Sequence, residues 1–253
     1  MLQPSDIDPP ERLGDWLTDA GADLTLCRPS ADGLPEQLDG FAGVVCMGGE
    51  MSADDDADHP WLPALRRLLA AAVARPVPVL GVCLGGQLLA AATGGAVRPG
   101  VDGPEAGTCL VAKRDAAADD PLFGPLPMTP DVIQFHHDEI HRLPPGATLL
   151  ASSTRYPNQA FRVGLAGYGV QFHIETSPAT VLSWAASDTA AAATVPARQL
   201  DEVHLAQVHA DIEEVWRPLA ARFVALAAGE LAPAGAVVDA AGRPRLPLLG
   251  PAN

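Results

Sequence analysis

The segment Pro76-Val77-Pro78-Val79-Leu80-Gly81-Val82-Cys83-Leu84-Gly85-Gly86-Gln87-Leu88-Leu89 decides the fold of this chain. An apolar run typical of a buried strand meets a Gly-x-Cys-x-Gly turn, and a helical pattern begins at once. Such a strand-turn-helix holds its central side chain exposed on a tight bend, near the backbone N–H groups of the helix start. The positive end of the helix favours the thiolate, so the pattern predicts that Cys83 is a nucleophile. The alternative interpretation is a buried core cysteine followed by a tight turn.

A second informative segment lies far downstream, at Tyr168-Gly169-Val170-Gln171-Phe172-His173-Ile174-Glu175-Thr176-Ser177-Pro178. It is typical of a strand that ends before a proline. Because side chains alternate along a strand, His173 and Glu175 are expected on one face. A cysteine nucleophile needs a base, and the base needs a partner that fixes its tautomer. His173 and Glu175 suit those roles, whereas His173 alone would be interpreted as a core histidine.

These segments resemble the two signature segments of class I glutamine amidotransferase domains, which hydrolyse glutamine with a Cys-His-Glu triad. The resemblance covers roughly residues 1–185 and is greatest to stand-alone members similar to the glutaminase domain of GMP synthase. Supporting segments at 44–49, 135–140 and 152–161 follow the family's order. The chain has Glu50, Gly86 and Ile174 where the family often has Pro, His and Pro, which affects the expected substrate range more than the chemistry.

The resemblance implies an α/β fold, a three-layer sandwich with a mostly parallel central sheet, a nucleophile elbow and flavodoxin-like topology. It also implies roles for eight residues: catalytic Cys83, His173 and Glu175; oxyanion-hole Gly49 and Leu84; and substrate-binding Gly48, Gln87 and Asp138. A glycine pair after a strand lets backbone approach a ligand closely, and N–H groups there and after the nucleophile stabilise developing negative charge. The alternatives are an ordinary turn for the glycine pair, a solvent-facing glutamine for Gln87 and a surface turn for Asp138.

Composition narrows the class of protein. The chain has 253 residues, enough for one sizeable α/β domain, with 48% hydrophobic residues. Sixteen basic and thirty-one acidic residues give a net charge of −15, which argues against nucleic acid as a general partner. The four cysteines are scattered, which predicts neither a disulfide framework nor a zinc site, and a free thiol suits the reducing cytoplasm. We expect no signal peptide, no membrane span and no metal site.

Helices and strands alternate along the first part of the chain, and strands crowd together between residues 108 and 173. We expect one domain over residues 1–230 and a loosely ordered Pro- and Gly-rich tail over 231–253. Only three residues precede a polar segment, so we expect a very short first strand or a true start upstream. Helices are expected at 11–20, 60–74, 84–93, 178–192 and 201–228, and strands at 24–27, 43–47, 77–82, 108–113, 132–135, 148–152, 160–163 and 169–173.

The favoured hypothesis is a cysteine-dependent amidase that cleaves the γ-amide of glutamine and supplies ammonia to a synthase partner. No phosphate-binding glycine motif is found, so no cofactor is expected, and any ATP chemistry would belong to that partner. A stand-alone γ-glutamyl hydrolase acting on small γ-glutamyl compounds is the first alternative. A catalytically idle binding or regulatory relative is the second, and the complete set of triad residue types argues against it.

Overall fold

The computed structural model describes residues 1–238 and 244–245, and part of the predicted tail lies outside them. The described helices are Glu11–Asp19 (α1), Pro29–Asp32 (α2), Leu62–Ala74 (α3), Leu84–Ala92 (α4), Pro178–Ser187 (α5), Thr189–Ala192 (α6) and Glu202–Ala227 (α7). The described strands are Val44–Cys46 (β1), Val79–Val82 (β2), Ala96–Pro99 (β3), Glu105–Leu110 (β4), Ala112–Lys113 (β5), Asp131–His136 (β6), Asp138–Arg142 (β7), Thr148–Ser152 (β8), Ala160–Val163 (β9), Gly167–Val170 (β10), Val237–Val238 (β11) and Pro244–Arg245 (β12). Short 3₁₀ helices span Asp115–Ala117 and Ala197–Leu200.

A six-stranded sheet in the order β1-β2-β10-β9-β8-β5 forms the centre of the fold. β1, β2 and β10 run parallel, and β9, β8 and β5 continue the sheet with antiparallel pairings. Beside this sheet, β3 pairs with β7 and β4 pairs with β6, both antiparallel. The site-bearing half of the sheet is thus the parallel half, where strand ends meet helix starts.

The chain start adds a very short paired position at the β1 edge of this sheet. Leu2 bridges Cys27 on one side and Cys46 on the other, both in parallel. Its N–H donates to the Val45 carbonyl at 2.7 Å, and its carbonyl accepts from Met47 N–H at 2.9 Å. The two bridges add parallel contacts to a sheet whose strand pairings are two parallel and three antiparallel, and Leu2 takes the place at the β1 edge where a very short first strand was expected.

Helices cover both faces of the sheet, which makes three layers. Successive residues of β1 and β2 point to opposite faces, so Val45 and Leu80 pack with α1 and α7, whereas Val44 and Val79 pack with α3 and α4. A strand that is buried on both faces has a continuous apolar sequence, and residues 77–82 have such a sequence. The α/β three-layer fold predicted from the sequence is therefore confirmed.

Several predicted elements need correction. The strand expected at 169–173 is β10, which ends at Val170, three residues before His173. The helix expected at 178–192 breaks at Asp188, whose side chain caps α6 by accepting from Ala191 N–H. Residues 24–27 contribute a single bridge and no strand, and β3 and β7 were not expected. Among the described helices, none is both long and apolar enough to cross a membrane.

Candidate active site

Cys83 occupies a strained bend between β2 and α4. Its φ of 50° and ψ of −108° lie in a region that non-glycine residues rarely adopt, and its N–H donates to the Val170 carbonyl at 2.9 Å. The following glycines make this bend possible, because a Cβ on Gly85 would lie 2.0 Å from the Cys46 carbonyl oxygen. Cys83 is thus held on the predicted nucleophile elbow, but it is only 6% exposed, so the expectation of an exposed side chain is wrong.

His173 and Glu175 form a fully buried pair beyond the end of β10. His173 Nδ1 and Glu175 Oε1 are 2.7 Å apart, and Glu175 Oε2 accepts from Ile174 N–H at 2.8 Å. The predicted pairing is present, but strand alternation is not its cause. A single antiparallel bridge to Ile133 of β6 fixes the backbone of His173, and the chain then bends so that the Glu175 carboxylate meets Nδ1 of the ring.

The electrostatics favour a charged imidazole. Burial of the ring would lower the pKa of His173, but the Glu175 carboxylate and Cys83 outweigh burial and raise this pKa well above its ordinary value. With Glu175 at Nδ1, the other nitrogen of the ring, Nε2, is left for proton exchange with the thiol or a substrate. The Trp184 ring packs against His173 with centroids 4.7 Å apart, which restrains the ring.

Two buried glutamines lie beside the thiol. Gln171 Nε2 donates to Cys83 Sγ at 3.8 Å, and Gln171 Oε1 accepts from Gln87 Nε2 at 3.3 Å. Gln87 also donates to the Asp138 carbonyl at 3.1 Å and is only 3% exposed, so the interpretation as a solvent-facing glutamine is wrong. The amide nitrogen of Gln87 thus donates to two protein groups, and its amide oxygen, Oε1, is the atom that could bind a ligand.

The predicted oxyanion-hole residues lie next to each other. A Cβ on Gly49 would lie 2.8 Å from a Leu84 methyl carbon, so the loop after β1 packs against the first residue of α4. Leu84 N–H is among the first backbone donors of that helix, which have no partner within the helix. A Cβ on Gly48 would lie 3.2 Å from Asp8 Cγ and 3.3 Å from His173 Cε1, so Gly48 lies near both side chains, but it is not among the described residues that line the adjoining cavity.

Cys83, His173, Gln87 and Gly49 line a cavity of about 610 Å³. This volume lies within the range typical of small-molecule sites. Sixteen residues line it: Ile7, Asp8, Gly49, Glu50, Met51, Ser52, Cys83, Gln87, Phe135, His136, His137, Asp138, His173, Trp184, Ser187 and Asp188. The thiol, the imidazole and the two residues predicted to bind substrate, Gln87 and Asp138, therefore share one cavity.

A buried polar network supports the cavity wall at the turn from β6 to β7. His136 Nδ1 bonds the Asp138 carbonyl at 2.8 Å, and His136 Nε2 contacts Glu105 at 3.2 Å. Glu105 also accepts from Ser153 and Gln159, both at 2.7 Å. The network fixes the turn from β6 to β7, so Asp138, whose carboxylate accepts from Ser52 at 2.8 Å, has a fixed position in the cavity.

Sequence reasoning missed Asp8, Gln171, Trp184 and Ser52. Asp8 lies in a polar segment that resembles a surface loop, yet it is only 5% exposed and lines the cavity. Trp184 lies on α5, and its indole N–H donates to the Ile7 carbonyl at 3.0 Å, which holds the Asp8 loop against the site. The one sequence signal for any of these four residues was Trp184, because a large apolar side chain in an alanine-rich helix indicates a packing role.

Comparison with protein families gives one match that bears on this geometry. The family described as glutamine amidotransferase class I matches residues 13–181. The chain belongs to the class I glutamine amidotransferase family. Membership places it among cysteine-dependent amide hydrolases, as the sequence predicted, and the matched range contains Cys83, His173 and Glu175.

Curated relatives support this assignment. The glutamine-hydrolysing GMP synthase of Christiangramia forsetii is 36% identical over 150 residues, which is 58% of this chain and 27% of that protein. A glutamine-hydrolysing GMP synthase subunit from Haloarcula marismortui is 35% identical over 162 residues, covering 64% of this chain and 77% of its own length. The chain thus spans about a quarter of the length of the full-length synthases that it matches, but most of the separate Haloarcula polypeptide.

Solved structures of the family have the same fold. A glutamine amidotransferase from Thermotoga maritima superposes with a TM-score of 0.75 at 26% identity, over 89% of this chain and 96% of that one. A glutamine amidotransferase from Methylobacillus flagellatus gives a TM-score of 0.75 at 28% identity, over 92% and 95%. The fold of this amidotransferase is therefore that of class I members across nearly its whole length.

Proposed function

We propose that this amidotransferase hydrolyses the γ-amide of glutamine through Cys83, His173 and Glu175. The observation that carries the proposal is that a strained, elbow-borne cysteine and a histidine line one cavity, and that the histidine is paired with the buried Glu175. A nucleophile, a base and a group that orients the base are the three parts that acyl transfer requires. The proposed reaction calls for neither a cofactor nor a metal ion, since these side chains account for every proton and electron pair.

The first half of the reaction releases ammonia. The Cys83 thiolate attacks the δ-carbon of glutamine, a C–S bond forms, and the carbonyl electron pair moves onto oxygen. The resulting oxyanion accepts hydrogen bonds from the N–H groups of Gly49 and Leu84. His173 then gives its Nε2 proton to the departing nitrogen, the C–N bond breaks and a thioester remains.

The second half restores the enzyme. His173, now neutral, takes a proton from water, and the hydroxyl attacks the thioester carbonyl. The C–S bond breaks, glutamate leaves, and the thiolate again faces an imidazolium. Glu175 makes no bond to substrate; it holds the ring by Nδ1 and stabilises its positive charge, which agrees with the raised pKa of His173.

Gln87 and Asp138 are proposed to bind the amino-acid end of the substrate. Asp138 carries a carboxylate suited to an α-ammonium group, and Gln87 Oε1 is a further acceptor. Gly48 contributes backbone only, as part of the loop that carries Gly49. Because Ser52 bonds Asp138, the loop after β1 and the wall at β7 bind the substrate together.

The ammonia is proposed to pass to a synthase partner in the cytoplasm. The Haloarcula relative is named as one subunit of a GMP synthase, so a separate glutaminase chain with this fold has a precedent. The flexible glycine pair allows a peptide flip between donor and non-donor orientations. We therefore expect slow glutamine hydrolysis by the isolated chain and acceleration by a partner that orders residues 48–50.

A stand-alone γ-glutamyl hydrolase is a second candidate, and the size of the cavity favours it. At about 610 Å³ the cavity has room for a leaving group larger than ammonia. Steady-state hydrolysis of glutamine and of small γ-glutamyl amides by the purified chain separates the candidates. Turnover of glutamine alone supports the ammonia-supplying role, faster turnover of the larger amides supports the hydrolase, and no turnover of either supports an idle relative.

A further inference from the structure

Asp8 is a buried carboxyl that the reaction described above does not use. It lies in the loop between Leu2 and α1, lines the cavity and is 5% exposed. No described group donates a hydrogen bond to its carboxyl oxygens. Buried polar groups are nearly always partnered, so an unpartnered carboxyl aimed into a cavity points to a ligand as its partner.

The position of Asp8 relates it to one end of the cavity. A Cβ placed on Gly48 would lie 3.3 Å from both Asp8 Oδ1 and His173 Cε1, so both side chains adjoin the same point. Gln87 and Asp138, which contact each other, are the residues proposed to bind the amino-acid part of the substrate. Because His173 protonates the departing amine, Asp8 adjoins the leaving group.

The cavity lining is acidic. It contains the carboxylates of Asp8, Glu50, Asp138 and Asp188, and none of the described lining residues is Lys or Arg. Asp138 is bonded to Ser52, and Asp188 is paired with His137. Asp8 is therefore the deeply buried carboxyl of the described lining that has no protein partner, and a cation is the complementary group.

Other charges around Asp8 are consistent with this assignment. The titratable groups that act on it are His173, Glu175, Glu50 and Glu11. Burial raises the pKa of Asp8 to about 7, with His173 opposing and the three carboxylates adding to the increase. An incoming cation would relieve the repulsion among these carboxylates.

We propose that Asp8 determines leaving-group specificity and selects γ-glutamyl amides of amines that carry a second, positively charged nitrogen. The ammonium of the leaving amine pairs with the Asp8 carboxylate while His173 protonates the amide nitrogen. This inference rests on the proposed γ-glutamyl chemistry at Cys83 and adds the class of leaving group. Ammonia, the leaving group of glutamine, is too small to use the contact.

The test compares two matched substrates with the full chain. γ-Glutamyl-ethylenediamine carries a terminal ammonium, and γ-glutamyl-propylamine has a methyl group in its place. We expect kcat/KM to favour the charged substrate by about tenfold to a hundredfold, the value of a charge-assisted hydrogen bond in a buried site. The preference increases as pH rises through about 7, because Asp8 then gains its charge.

Asp8→Asn keeps the shape of the side chain and removes its charge, so the ratio of the two kcat/KM values is expected to fall to about one. Asp6→Asn, the same change at an exposed site on the same loop, is the control and keeps the wild-type ratio. A wild-type ratio near one at every pH overturns the inference, as does a ratio that survives Asp8→Asn.

The outcomes separate this inference from the proposed function. If glutamine and both amides are hydrolysed with no preference for charge, the γ-glutamyl chemistry stands and only the role of Asp8 fails. If all three compounds are inert, both fail. The pH dependence of the wild-type ratio decides the matter even if Asp8→Asn does not fold.

Discussion

Replacing Asp8 with Asn is expected to stabilise the protein at alkaline pH. The pKa of Asp8 is about 7 in the folded chain against 3.8 for the ordinary carboxyl. A carboxyl with a raised folded pKa favours folding while it is protonated, and that contribution is lost as pH rises from the unfolded to the folded value. Each pKa unit corresponds to about 1.4 kcal/mol, so ionised Asp8 destabilises the native state by about 4 kcal/mol above pH 7.

Unfolding measurements at pH 5 and pH 8 test this magnitude. At pH 5 the unfolded carboxyl is already ionised, so the advantage of Asp8→Asn over wild type is expected to grow by about 3 kcal/mol between the two conditions. For a domain of this size that is an increase of about 6–12 °C in the melting-temperature difference. Asp6→Asn is the matched control. A difference between Asp8→Asn and wild type that does not change with pH would refute the reasoning.

Three further predictions concern the elbow, the triad and the network. Gly85→Ala would place a methyl group 2.0 Å from the Cys46 carbonyl oxygen, so we expect loss of soluble folded protein or a large drop in melting temperature. The control is Gly14→Ala on α1, whose new methyl group would lie at an ordinary 3.4 Å from Pro10. This variant should remain folded. Glu175→Gln is expected to lower kcat by about 10²–10⁴-fold and to lower the pKa of His173. The control Glu214→Gln on α7 should change neither quantity. An unchanged pH–rate profile for Glu175→Gln would mean that the pairing is merely structural. Glu105→Ala removes the partner of His136 Nε2 and the nearer acceptor of both Ser153 and Gln159. It should cost about 3–5 kcal/mol of unfolding free energy in urea titrations, and a cost below about 1 kcal/mol would contradict the network's role.

The fold and the Cys83 elbow were predictable because local sequence determines them. The glycines around Cys83 have a steric requirement that leaves few alternatives, and the apolar runs at 44–46 and 79–82 become strands that are buried on both faces. That residues 173–175 end near the elbow was implied only by the resemblance to the family. The elbow and the two strands need no knowledge of distant contacts.

Other features depended on tertiary contacts. His173 lies beyond the end of β10 and is positioned by a bridge to Ile133, a residue forty positions away that no local pattern indicates. The burial of Asp8 arises because Trp184 holds its loop by a hydrogen bond to Ile7. A polar loop is interpreted as exposed unless its covering helix is known, so the contribution of Asp8 to the cavity could not be predicted.

Selective alkylation of Cys83 is the most direct test of the central claim. Burial raises the pKa of Cys46 to about 12, and burial with Glu105 raises that of Cys109 to about 11, so both thiols stay protonated at neutral pH. The purified chain is incubated with a diazo-ketone analogue of glutamine, and the modified residue is located by peptide mass spectrometry. We predict a single adduct on Cys83 that is absent from Cys83→Ala, together with loss of glutamine hydrolysis. An adduct on another cysteine, or glutamine hydrolysis that persists in Cys83→Ala, would contradict the account.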